Sequence, residues 1–141
     1  MRRWVVAAIA AAALCAIGAR AGAETKKEYE TRFLAMMEIA QRLDDTARLH
    51  LSDRGLLDYL HEMAEANARS AEQMTPPKEY ALLHPHFLLV LENLERSFSF
   101  ARDGKMERYR HFQKLKDKEL ALLDEIAANA GLDLYRLGRG C

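Results

Sequence analysis

His84-Pro85-His86 is the tightest pairing of metal-ligating side chains in this chain. Residues two apart on a helix point to opposite sides, so His84 and His86 reach one ion only if Pro85 unwinds the start of its helix. His61-Glu62-Met63-Ala64-Glu65 begins like a zinc-protease helix, but Glu65 stands where the second histidine must be. Di-iron bundles need Glu-x-x-His pairs on two helices, and only Asp58-x-x-His61 comes close. His61 and His111 flank apolar stripes and read as solvated surface histidines. No metal centre is expected, with His84 and His86 as the candidates that remain. Ser, His and Asp all occur, yet no nucleophile sits in a strained turn or a glycine-rich loop. Acidic residues are spread around helix surfaces rather than paired on an apolar face. No catalytic residue is expected, and the chain reads as a non-enzyme.

Concentrated charge is basic: Lys105, Arg108, Arg110, Lys114, Lys116 and Lys118 stand against only Glu107 and Asp117. Such a run is a solvated helix face, or a surface that docks an acidic protein or an anionic membrane. The methionines, Met36, Met37, Met63, Met74 and Met106, read as core filler rather than a copper or partner surface.

The elements that would position these groups are helices. Tyr80, His84, Phe87, Leu91, Leu94, Phe98 and Ala101 alternate four and three residues apart, the seam of a helix packed lengthwise on others. Tyr29, Phe33, Met36, Ala40, Leu43 and Ala47 repeat the pattern in a first helix from about Thr25 to His50. A second, capped by Ser52, presents Leu57, Leu60, Ala64, Ala71 and Met74 until Thr75-Pro76-Pro77 ends it. A short turn over 77–83 then leads into a third helix from Pro85. Gly104 supplies the left-handed residue for a turn into a fourth helix, from about Lys105 to Ala130, closed by Gly131. Its apolar positions are Tyr109, Phe112, Leu115, Leu122, Leu123 and Ile126. Helices of about 24 residues, or roughly 36 Å, joined by short connections predict an all-α, up-down-up-down antiparallel four-helix bundle. Its expected core is Phe33, Leu43, Leu60, Leu91, Leu94, Phe98, Phe112 and Ile126.

Arg2 and Arg3 precede an apolar run from Trp4 to Gly18, and Ala21-Gly22-Ala23 offers a cleavage site before Glu24. Residues 1–23 therefore read as a secretory signal peptide, 24–131 as the bundle and 132–141 as a tail. The apolar run is shorter than the ~20 residues of a membrane span. A periplasmic or secreted location is expected, without a transmembrane segment after cleavage near Ala23. The whole chain carries 21 basic and 21 acidic residues. Loss of Arg2, Arg3 and Arg20 leaves a mild acidic excess, so no nucleic-acid partner is expected. Cys15 leaves too. Cys141 then remains as a lone thiol at the tail's end, able to form a disulfide with a partner or a second copy.

Thr75-Pro76-Pro77-Lys78, then Phe87, Leu89, Val90 and Leu91, and the Ala101-Arg102-Asp103-Gly104-Lys105 turn resemble matching segments of the cytochrome b562 family. The likeness is best over residues 57–112. It implies a periplasmic up-and-down bundle which, in that family, holds one b-type haem at an end of its core. The family ligates iron with a methionine in the first turns of helix 1 and a histidine near the end of helix 4. Those positions fall near Tyr29 and Asp124 here, and neither is a usual axial ligand of that kind. The expectation is a non-enzymatic binding or interaction module for a protein or small ligand of the cell envelope, without a cofactor. The alternative is an electron-transfer protein holding haem b through non-standard ligands.

Overall fold

The computed structural model describes residues 22–134. The expected signal segment through position 21, and the tail residues 135–141 with Cys141, lie outside the described residues. Four helices follow in order: α1 Lys26–Leu49, α2 Arg54–Glu72, α3 Leu83–Arg102 and α4 Met106–Asn129. One 3₁₀ turn, Lys78–Tyr80, joins α2 to α3. No strand occurs among the described residues, and the helices pack as the expected antiparallel four-helix bundle. The two inner helices are the shorter ones, with 19 and 20 residues against 24 for α1 and α4.

Local chemistry sets the ends. Thr25 caps α1 through a capping box with Glu28, which satisfies two backbone donors that the helix leaves open. Asp53, not Ser52, caps α2: its carboxylate accepts from the Leu56 N–H at 2.9 Å. The ends of α3 and α4 are the same device. Gly104 and Gly131 take positive φ, 73° and 78°. The next residue's N–H then reaches back to the first open carbonyl, Lys105 to Phe100 and Leu132 to Ala127, both at 2.8 Å. The second of these turns drives Leu132 into the core.

Helix α3 begins at Leu83, two residues before the expected Pro85, and His84 lies inside it. The physical reason is positional. Pro85 is the third helical residue, where an N–H would find no partner within the helix, so proline costs nothing there.

Every residue of the α3 seam from Tyr80 to Ala101 is buried. On α4 the expected stripe is rotated. Phe112 and Ile126 are half-buried, and Leu115 and Leu122 are exposed. The face turned inward is Tyr109, Gln113, Lys116, Leu120, Leu123 and Ala127, which keeps the four-three spacing with two polar members.

Candidate functional site

Helices packed in a square must each close on two neighbours. Here α3 packs intimately on both α2 and α4, whereas α1 and α4 stand apart. The gap is a groove of about 490 Å³. Its walls are α1 from Met37 to Arg48 and α4 from Lys116 to Asp124, and its floor is Val90 and Leu94 of α3. Leu134, beyond the turn after α4, also lines it. That volume lies within the range of small-molecule sites, and a largely apolar floor with a few placed polar groups is their usual chemistry.

A buried polar network adjoins the groove. Asp44 of α1 and Lys116 of α4 are each only 6% exposed. Lys116 Nζ donates to Asp44 Oδ2 at 2.6 Å, to Gln113 Oε1 at 2.9 Å and reaches Asp117 Oδ1 at 3.1 Å. Gln113 Nε2 donates to Asp44 Oδ1 at 2.8 Å and to Ser97 Oγ at 3.0 Å. Ser97 in turn donates to the Leu94 carbonyl at 2.7 Å. Arg48 lies along Asp44, its Nε at 3.1 Å, and also donates to Gln113 Oε1 at 3.2 Å. Every hydrogen-bonding atom of the Gln113 amide is therefore used, and three helices are joined through it. Burial alone raises a carboxyl pKa, but the hydrogen bonds and charges of Lys116 and Arg48 outweigh it and hold Asp44 below 3.8. A carboxylate held that firmly ionised is a poor base near neutral pH. Beside this network the Tyr109 hydroxyl is pushed up, first by burial and then by the Asp44 charge.

These positions correct two expectations. Lys116 is part of this network, not of a basic docking face. Asp44 shows that one acidic side chain does sit on an apolar face. The other five basic residues, Lys105, Arg108, Arg110, Lys114 and Lys118, are exposed. Arg110, Lys114 and Lys118 share a ridge by their spacing of four.

The opposite end of the core, next to the α1 N-terminus, is filled by rings. Tyr29 stacks on Tyr80 at 5.2 Å between centroids, and Phe33 meets Phe87 edge-on at 4.7 Å. The Tyr29 hydroxyl lies 2.9 Å from His84 Nδ1. Burial raises the Tyr29 pKa and lowers that of His84, so a neutral pair is favoured. The Tyr80 hydroxyl donates to Glu30. His86 points elsewhere, to Glu119 Oε2 at 2.8 Å. The two histidines thus diverge, and the described residues hold no group of three or more His, Cys, Asp or Glu side chains arranged for a metal ion. His61 pairs with Glu95 at 2.5 Å and is half-buried rather than solvated, whereas His111 is exposed with its ring edge on Phe112.

The fit to haem b follows from the same geometry. Tyr29 is buried among aromatic rings and committed to His84, while Asp124 lines the groove, which Tyr29 does not. The groove offers one thioether, Met37, and no imidazole. The residues present do not fit a methionine–histidine pair, and the end of the core that would hold the macrocycle is occupied by side chains.

Sequence reasoning set Lys116 on the surface and missed Gln113, Asp44 and also Asn67, whose amide donates to the Met36 carbonyl at 3.0 Å. The signal was the seam itself: from Tyr109, and from Leu57 on α2, unbroken four-three counting lands on Gln113, Lys116 and Asn67 whatever their polarity. Among the described residues no helix is long and apolar enough to cross a membrane. Comparison with family models, curated proteins and solved structures finds no match to this chain.

Proposed function

We propose that this protein is a non-enzymatic binding module of the cell envelope whose site is the groove between α1 and α4. The observation that carries this reading is a groove of about 490 Å³ with an apolar floor, left where two helices of the bundle fail to close. The ligand it suits is small, elongated and largely apolar. The wall from Met37 to Arg48 covers about 16 Å of helix, the length of a ten-carbon chain with a head group. The ionised, fully partnered Asp44 favours holding over chemistry. The sequence's signal-like first 23 residues support the location.

A neutral, environment-sensitive apolar dye such as Nile red tests the proposal. Saturable enhancement at one site per chain is expected, and Met37→Trp, which places a ring in the groove, should abolish it while the circular dichroism stays helical. No saturable enhancement in the unmodified protein would overturn the reading. So would enhancement unchanged both in Met37→Trp and in Gln41→Trp at the rim.

A further inference from the structure

We propose that the outer face shared by α3 and α4, a different side of the bundle from the groove, docks on an anionic lipid bilayer. Two features of that face carry the proposal, a cluster of exposed leucines and a set of cations without counter-ions. Neither depends on what the groove binds.

His86 of α3 meets Glu119 of α4 at 2.8 Å. Around that bridge helical spacing sets four leucines. Leu82 and Leu89 stand four before and three after His86, and Leu115 and Leu122 stand four before and three after Glu119. All four are exposed, so the face carries one apolar cluster rather than scattered single residues.

Charge on this face also differs from the rest of the bundle. Elsewhere surface cations lie against an acid four residues away, as in Arg42 with Glu38, Arg69 with Glu65 and Arg96 with Glu92. On α4, Lys114 has Arg110 and Lys118 at that spacing, and Arg108 has Gly104 and Phe112. None of these four cations forms an ion pair with a described residue. Like charges four apart repel, and an anionic surface removes the repulsion. Glu119 is occupied by His86 and Glu92 by Arg96, while Glu107 and Glu125 stand at the two ends of the ridge.

Composition selects the partner. Protein interfaces favour aromatic side chains, Met and Arg, are poor in lysine, and rarely use leucine as a hot spot. Leucine beside lysine is instead the makeup of helices lying in a bilayer interface. There the apolar side chains enter, and the lysine stems keep their ammonium groups among the head groups.

Vesicle flotation decides the point. It uses the chain from Glu24, which holds all four helices and lacks the apolar run of residues 4–18 that would itself enter lipid. Vesicles of phosphatidylcholine alone are compared with vesicles in which a third of the lipid is phosphatidylglycerol. Binding to the anionic vesicles should be at least about ten-fold tighter and should fall as salt rises. Lys114→Gln with Lys118→Gln should weaken it about 20-fold, each charge near such a surface contributing about five-fold. Leu115→Gln with Leu122→Gln should weaken it about ten-fold, in high salt as in low. All four positions are exposed, and circular dichroism checks that each variant keeps its helices. Equal binding to both kinds of vesicle, or binding to neither, overturns the proposal. So does binding that the leucine pair leaves unchanged, because charge alone then suffices. Capture of poly-glutamate with no binding to vesicles assigns the face to an acidic protein and overturns the proposal as well.

Discussion

Lys116 of α4 and Asp44 of α1 meet at 2.6 Å across the one side of the bundle where the helices do not close. Their ion pair spans the gap that packing leaves. A buried pair of this kind gives little net stability against an apolar pair, but losing one member strands the other charge.

Asp44→Leu alone, and Lys116→Met alone, should each cost about 3 kcal/mol in urea denaturation. The double substitution should cost less than either single change, a strongly non-additive cycle. Additive losses would mean that the two side chains act independently and the network is incidental.

Rotation of α4 gives a second expectation. Leu123 is 0% exposed and Leu122 is 37% exposed. Leu123→Ala should destabilise by about 3 kcal/mol and Leu122→Ala by less than about 1 kcal/mol. Equal effects would restore the stripe expected from apolar residues alone.

Acid should weaken the aromatic end through His84. Burial holds its pKa below the ordinary 6.5, so protonation is harder in the folded chain than in the unfolded one. The contribution is complete above about pH 6.5 and is lost as pH falls through the lowered value. Asp44, held below 3.8, acts only in more acid solution. His84→Gln keeps a partner for Tyr29 and removes the titration. Thermal midpoints should fall between pH 7.5 and 5 in the natural protein and fall less in the variant. Parallel curves would remove His84 from the acid response.

Gly104 at φ 73° should not tolerate a side chain, although the space is open: a Cβ there would meet Arg54 Nη2 only at 3.6 Å. Gly104→Ala should therefore cost about 1–2 kcal/mol through backbone strain alone. No loss on chemical denaturation would argue that the turn relaxes.

How much of this was legible in the sequence depended on residue type. The α3 seam from Tyr80 to Ala101 is apolar almost throughout, and the stripe read from it is the buried one. On α4, Gln113 and Lys116 occupy seam positions, and reading by polarity slid the stripe onto Phe112, Leu115 and Leu122. Asp44 follows Leu43 and precedes Asp45, so nothing local separates the buried carboxylate from the exposed one. The groove was invisible for a different reason. It is a missing contact between the first and last helices, and no pattern within either helix records a distance to the other.

The Ser97, Gln113, Asp44 and Lys116 network has a consequence for alignment. A heptad seam is nearly indifferent to sliding one helix by seven residues, about 10.5 Å, since like positions again face like. Seven residues either side of Asp44 stand Met37 and Leu51. A slipped α1 would set a methionine or a leucine against the Lys116 ammonium. The network thus works as an indexing pin, rejecting neighbouring alignments that the apolar seams would accept. With the pin removed in Asp44→Leu/Lys116→Met, the expected defect is multiplicity rather than weakness: doubled amide resonances from α1 in a chain that still melts cooperatively.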